Sequence, residues 1–580
     1  MTRRSRWLGM AALVLLAVAP LLPTLRATFV YDDTQIIGGN ETIRGWDSLL
    51  HVWSRPYWPY GEAAGLYRPF QIALISIIYN AGGGRPIWFH LYALMLAAVT
   101  SVAVWWLIRR GVGRQAALVA ALWFAVHPLH VEPVASVANS SELMVVLCTI
   151  ALVALLTRFP AEPARPLRDW LRALLAGGIA AAAVLSKESG IIALPLAAVS
   201  IWGWHQRSDS PPETRALLQK NLRVGIAGAL CVGTALAARA IVLAAAANPF
   251  SLAPAGLEGL TALERVRSVI SLWPHIVQMV MWPTDLSPLY GAALLPDHRG
   301  AIALASLAVA AALSAAAVLV ARRGDRRPLV ALLWMGVAYL PASNLFAAVG
   351  PLVSDRTLFG VTVGAALALA WALDRMPPFS RRMATVVCAL VMARALVVTT
   401  RYALDWTNHR QLWSRLTRLY PDEHVGHHML GLSLWAHGDT SRALVEVAQG
   451  LAMSPSDQNN RNTYARLLYE TGRYERSVQV MAPLMSMERW RDDPAVAAYY
   501  FDAIGRASGA EAVIGAAKRF LHGQSTPVAE LYIGLANERL GHLAAADSAY
   551  RRGLRASPRD SMLTAQLTRL QPRLGPRRTQ

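Results

Sequence analysis

Cysteine is almost missing from this chain of 580 residues. The three present, Cys148, Cys231 and Cys388, each lie inside an apolar run, so neither a disulfide framework nor a thiolate metal site can be built from them. Charge is scarce too. Only 16% of residues are charged, against about 25% in ordinary soluble domains. Lysine is confined to Lys187, Lys220 and Lys518, so arginine carries nearly all of the excess of 56 Lys+Arg over 36 Asp+Glu. What is abundant is apolar: 54% of residues are hydrophobic, mean hydropathy is +0.34, and long apolar runs recur between residues 7 and 400. A disordered chain, a collagen-like chain and a single soluble globule are excluded, because none could carry or hide that much apolar surface.

The composition changes near residue 406. Residues 1–406 hold 34 basic and 20 acidic side chains, whereas 407–580 pack 22 and 16 into a much shorter stretch. The first part reads as a membrane domain and the second as soluble. A spanning helix needs about 20 mostly apolar residues. Eleven segments qualify: 7–25, 87–108, 115–129, 140–157, 171–186, 190–204, 223–246, 300–321, 328–346, 357–373 and 383–400. The pair within 171–204 is joined only by Lys187-Glu188-Ser189 and is one broken span or two. Stretches 68–80 and 262–283 read as amphipathic helices that lie on the membrane surface or re-enter it. With the N-terminus inside, the cytoplasmic segments hold 21 Lys+Arg and 6 Asp+Glu, and the outer ones 11 and 14. This bias supports the count and orientation. An odd number of spans places the repeat part outside the cytoplasm. The first apolar run reads as a retained span, since Leu25 stands where leader cleavage wants a small residue. The arginine and alanine bias suggests a GC-rich bacterial genome, which would make the membrane the inner one and the outer side the periplasm; in a eukaryote the same topology would put the repeats in the ER lumen.

The C-terminal part carries a 34-residue period, that of tetratricopeptide repeats. Gly431 is followed by Gly438, Ala443 and Pro455; Ala465 by Gly472 and Ser477; Gly534 by Gly541, Ala546 and Pro558. A degenerate unit fills about 492–525, which makes about four repeats across 424–560. The expected architecture is therefore all-α: a polytopic transmembrane bundle over 1–406, with a first outer loop at 26–86, followed by an extracytoplasmic α-solenoid over 407–580. Such a solenoid offers a groove for a polypeptide acceptor or partner.

Six polar turns interrupt the apolar runs, and the topology puts all six on the outer face. They are Asp32-Asp33, Tyr67-Arg68-Pro69, His127-Pro128-Leu129-His130-Val131-Glu132, Ser186-Lys187-Glu188-Ser189-Gly190, Trp282-Pro283-Thr284-Asp285 and Asp355-Arg356. Ionisable groups at membrane depth are costly, at about 2.5–3.5 kcal/mol each at a helix centre, and are tolerated where they pair or line a watery cavity. Each turn also has a bland explanation. Asp33 can cap a helix starting at Gln35, Arg68 can reach lipid headgroups, and Lys187-Glu188 and Asp355-Arg356 can be local ion pairs. Six together argue for an outward cavity. Carboxylates beside cations suit group transfer from a lipid phosphate: Arg68, Lys187 and Arg356 would hold the phosphate, and Asp32 or Asp33 would take the proton of an acceptor hydroxyl. His127, His130, Glu132, Glu188 and Asp355 would support them.

In their order along the chain these motifs resemble the GT-C-type glycosyltransferases, nearest the transmembrane and tetratricopeptide-repeat-containing protein O-mannosyltransferases. Besides the six turns, Phe124-Ala125-Val126, Leu286-Ser287 to Tyr290, and Leu340-Pro341-Ala342-Ser343-Asn344-Leu345-Phe346 carry the likeness. The resemblance implies a glycosyltransferase that moves a sugar, mannose in the family, from a polyprenyl-phosphate donor to a Ser or Thr of an exported protein, or to a glycan or lipid. It implies that Asp32 is the base and that Asp33 orients the acceptor or a metal. Asp355 stands where the family has Glu, one methylene shorter at the same charge. Four repeats are fewer than in the family's eukaryotic members, which leaves the acceptor open. No cofactor is required by this reading; Asp32 and Asp33 are the pair that would hold Mg²⁺ or Mn²⁺ if one were used. Zinc on His127, His130 and Glu132 is disfavoured by Pro128 and Pro133. The alternative is a non-enzymatic membrane scaffold for envelope or polysaccharide assembly. A nucleic-acid partner is excluded, because the basic excess lies in short cytoplasmic segments.

Overall fold

The structure, a computed structural model, describes residues 3–59, 66–157, 166–204, 222–245, 256–291 except 258, 294–346, 350–491, 493–521 and 526–574. The expected cytoplasmic stretches 158–165 and 205–221 lie outside the described residues. Regular structure among the described residues is helical throughout. Two compact units emerge, Met1–Leu419 and Tyr420–Gln580. The first runs past residue 406 because helix His409–Leu419 packs onto it. Trp413 lies 5.8 Å from the Tyr31 ring, and Arg415 donates to the Leu286 carbonyl at 2.7 Å while pairing with Asp405 at 2.9 Å.

Each of the eleven expected segments contains helix, although 115–129 breaks at Val126-His127, 328–346 leaves the helix after Ala342, and residue 246 lies outside the described residues. Seven are long and apolar enough to cross a membrane, or eight if the bent pair Arg114–Ala125 and Pro128–Ala135 is one span. This is an integral, multi-pass membrane protein. Two expected spans are shorter helices, Glu188–Gly203 and Arg327–Ala342, and a third, Pro166–Ser186, is apolar only from Trp170 onward. At 1.5 Å per residue, a helix of 16 residues covers about 24 Å, less than the hydrocarbon core. Within 171–204 the chain breaks at Lys187, whose backbone is extended (φ −161°, ψ 147°), and Gly190 turns it back against Ala183. Only glycine fits there, since a Cβ would stand 2.1 Å from the Ala183 carbonyl oxygen. The bent pair is interrupted at Pro128, which lacks the N–H a continuing helix needs. Stretch 262–283 is two helices, not one. A Thr261–Glu264 capping box opens Ala262–Ser271, and Pro274 sits in the first turn of Trp273–Met281.

Among the described residues, the second unit holds four helical hairpins in tandem, followed by helix Ser561–Leu570. His424–Ala436 pairs with Thr440–Met453, Gln458–Glu470 with Tyr474–Met481, and Pro527–Arg539 with Leu543–Ala556. The degenerate unit is Pro494–Leu521, which reverses at Gly509 (φ 84°). A Cβ on Gly505 would meet Val513 at 3.4 Å, a contact that residues eight apart on one straight helix, about 12 Å apart, could not make. Side-chain links between neighbouring hairpins recur near the sequence period: Trp435 to Glu470 at 2.7 Å and Arg466 to Tyr499 at 3.5 Å.

The repeated spacing of small residues serves two different purposes. Gly431 and Gly534 are close-approach positions, where a Cβ would stand 2.3 Å from Val447 and 2.1 Å from Tyr550. The +7 glycines, Gly438, Gly472 and Gly541, are instead left-handed turn residues (φ 83°, 76° and 78°) with open space around them. Gly534→Val is therefore expected to cost about 1–3 kcal/mol or more by overpacking, because Tyr550 is buried and tied to Glu538 at 2.6 Å. Gly438→Ala should cost only about 1–2 kcal/mol of backbone strain. Denaturant unfolding of the full chain, followed on the repeat unit, would rank the two; the reverse order would refute this division of roles.

Candidate active site

The turns that sequence reasoning singled out sit at helix ends of the first unit, and five of the six contribute to one cluster. The chain enters it at Tyr31, a non-glycine residue in the left-handed region (φ 57°). Such a conformation persists only where the surroundings hold it. Here the Tyr31 ring is packed on Trp406 and Trp413, with the Arg356 guanidinium 5.7 Å above it. The two residues that follow have different environments.

Asp33 is fully buried, and its carboxylate accepts three hydrogen bonds: from the Val137 N–H at 2.8 Å, the Ala138 N–H at 2.7 Å and the Ser136 hydroxyl at 3.3 Å. Burial pushes its carboxyl up to about 7, against the pull of those donors. It caps the first turn leading into helix Ser141–Thr157, not the helix after Asp33 itself, where its side chain makes no cap bond. Asp32 is only half-buried. Burial raises its carboxyl above the ordinary value; Arg356 and Arg68, the Asn139 amide and Lys187 draw it back down. Of the two carboxylates, Asp32 is the one not committed to holding the backbone.

The three cations expected to face a lipid phosphate are brought together around Asp32, and each is held by a carboxylate. Arg68 grips Glu188 through Nε at 3.0 Å and Nη2 at 2.7 Å, and lies 4.7 Å over the Tyr57 ring. Lys187 donates to Glu142 at 2.6 Å. Arg356 donates to Glu132 from Nη1 at 2.5 Å and from its backbone N–H at 2.8 Å. The local pairs Lys187-Glu188 and Asp355-Arg356 do not form. Neighbouring side chains in an extended or 3₁₀ segment point apart, and each finds its partner on another helix. Asp355 accepts instead from the Tyr290 hydroxyl at 2.7 Å and the Tyr402 hydroxyl at 2.9 Å.

The histidines are spoken for. His127 Nδ1 accepts the Leu129 N–H at 3.3 Å, so Nε2 carries the proton and donates to the Val280 carbonyl at 2.8 Å. His130 meets the Thr362 hydroxyl at 3.0 Å between the rings of Phe124 and Phe359. With Glu132 on Arg356, the three do not share an ion. Among the described residues no group of three or more His, Cys, Asp or Glu is arranged to hold a metal. Both Asp33 oxygens face N–H donors, so Asp32 and Asp33 are not arranged as a two-carboxylate cation site. The sixth turn, at Trp282-Pro283, serves Arg394, whose Nη2 donates to the Pro283 carbonyl at 3.0 Å.

Several participants escaped the sequence reading. Asn139 is an ordinary amide with no spacing signal. Glu142 and Tyr402 lie within spans, and Glu142 did carry a signal, an acid inside the apolar run 140–157. Arg239, known only as a charge within a span, reaches Glu188 Oε1 at 3.0 Å.

Fold and site together define an all-helical, polytopic membrane protein with a cluster of paired charges at its helix ends. The model of the dolichyl-phosphate-mannose-protein mannosyltransferase family matches residues 68–211, from Arg68 through Lys187 and Glu188. The chain is similar in sequence to TMTC protein O-mannosyl-transferases. It is 27% identical to TMTC4 of Homo sapiens over 72% of this chain and 62% of that one, and 32% identical to Tmtc1 of Drosophila melanogaster over 32% of this chain and 22% of that one. It thus spans less than two thirds of either relative. Among solved structures, the apo oligosaccharyltransferase of Archaeoglobus fulgidus aligns over 70% of this chain and 57% of its own at 12% identity and a TM-score of 0.35.

Proposed function

We propose that this protein is a glycosyltransferase that moves a sugar, mannose in the first instance, from a polyprenyl-phosphate donor to a hydroxyl acceptor by a single inverting displacement at the outer membrane face. The observation that carries the reading is one half-buried carboxylate, Asp32, among Arg68, Lys187 and Arg356, which come from three distant parts of the chain. The acceptor oxygen attacks the anomeric carbon while Asp32 takes its proton. The bond from that carbon to the phosphate oxygen breaks, and its electron pair leaves with the phosphate. Because phosphate is a good leaving group, the protein need supply only fixed positive charge, which the carboxylate-braced cations provide without reorganising. Asp33 is a positioning residue that holds the 136–139 turn, and with it Asn139, against Asp32. The names of the relatives favour a Ser or Thr of an exported polypeptide as acceptor, and the hairpin array is the surface on which a polypeptide would bind.

The test is purified protein in lipid, supplied with radiolabelled polyprenyl-phosphate sugars and an unstructured Ser/Thr-rich peptide. Release of polyprenyl phosphate with label on the peptide is expected, with mannose the best donor. No release from any donor would overturn the reading in favour of a scaffold.

A further inference from the structure

Two arginines, Arg239 and Arg394, lie inside apolar helices, where a charge is costly and marks a function or a partner. Arg394 is accounted for by the Pro283 carbonyl and by the Trp282 ring 4.1 Å beneath it. Arg239 is different. It projects from helix Leu222–Ala245 to Glu188, whose other oxygen is gripped by Arg68. One carboxylate is therefore shared by two guanidiniums, and the trio of Arg68, Glu188 and Arg239 carries net positive charge. Exposure within the cluster is uneven. The Arg239 and Glu188 side chains are each 27% exposed, against 10–11% for Arg68, Lys187 and Glu142. The open side of the cluster thus lies at Arg239. The helix that carries it also turns Leu230 and Ile241 outward, 66% and 72% exposed, as a lipid-facing helix does.

We propose that Arg239 is a donor-binding residue: it meets the phosphate of the donor lipid as it enters laterally from the bilayer and, through the shared Glu188, brings it to Arg68, with the isoprenoid chain left along helix Leu222–Ala245. This rests on the polyprenyl-phosphate donor proposed above. A phosphodiester carries one negative charge at neutral pH, and it reaches a pair of guanidiniums that share the Glu188 carboxylate. Arg239 acts in capture and alignment, and the displacement itself takes place beside Asp32.

The experiment compares wild type, Arg239→Ala, Arg239→Gln and Arg239→Lys in nanodiscs. It measures binding of undecaprenyl phosphate, which carries no sugar, and then donor KM and kcat; thermal unfolding selects the variants that fold. Loss of one charge-assisted hydrogen bond predicts about 10- to 100-fold weaker binding for Arg239→Ala and Arg239→Gln. Donor KM should rise by a similar factor, kcat should stay within about threefold, and Arg239→Lys should recover much of the loss. Wild-type binding of undecaprenyl phosphate with equal binding by Arg239→Ala would overturn this role and leave the proposed donor intact. A fall in kcat with KM unchanged, not rescued by lysine, would make Arg239 merely structural. No binding by wild type would overturn the donor assignment and this inference together.

Discussion

Asp32→Asn is expected to lower sugar transfer by about two to four orders of magnitude, the contribution typical of a positioned general base, while insertion and folding persist. Asparagine keeps the shape and the contact with Asn139 but cannot accept the acceptor's proton. The sign of the stability change is also fixed. Burial raises the Asp32 carboxyl above its ordinary value, so the folded state holds the proton more tightly than the unfolded chain does. Ionised Asp32 thus costs stability, increasingly as pH rises above the ordinary carboxylate value, and removing its charge should leave the protein at least as stable near neutral pH. In wild type, transfer should rise with pH as Asp32 loses its proton, with a half-maximum above 3.8; in Asp32→Asn that acid limb should vanish. Rate–pH profiles with thermal unfolding on both proteins check all three expectations. A variant with full activity would remove Asp32 from the chemistry, and one that fails to fold would make it structural.

Arg356→Ala is expected to do more damage to the fold than any other single change in the cluster. Glu132 is wholly buried, and Arg356 supplies two of its donors. Removing the guanidinium strands a carboxylate without its counter-ion, at about 3–5 kcal/mol. Because a buried ion pair is worth little against an apolar pair of similar shape, the double variant Glu132→Gln/Arg356→Met should recover most of the stability while remaining inactive. Unfolding and transfer measured on single and double variants would separate bracing from catalysis. Recovery of activity in the double variant would show that the Arg356 charge has no part in the reaction.

The transmembrane part was legible because its signal is local. Twenty apolar residues in a row have few choices in a bilayer, and each of the eleven expected segments is built on a helix, seven or eight of them long enough to cross. The hairpin array was legible for a related reason: a close approach of two helices at Gly431 or Gly534 admits almost nothing larger, so the constraint is written at fixed spacing. The site was legible only in part. Charged residues in apolar surroundings announced Asp32, Arg68, Lys187 and Arg356, since each costs free energy that a span without a function would avoid. Partners were not legible. The adjacent pairs Lys187-Glu188 and Asp355-Arg356 looked self-sufficient, yet Lys187 went to Glu142, Glu188 to Arg68 and Arg239, Arg356 to Glu132, and Asp355 to two tyrosines. Nor was the difference between Asp32 and Asp33, identical side chains one residue apart.

The sequence by itself determined the material of this protein: an all-helical membrane part followed by a helical repeat, with a small set of charges at helix ends. Those follow from apolar run length, residue period and the cost of burying charge, all of which act over short distances along the chain. The tertiary structure alone decided which carboxylate is committed to backbone donors and which keeps access to solvent, and which cation each acid braces. Those choices depend on the direction in which a side chain leaves its turn and on what another helix, often a hundred or more residues away, presents to it.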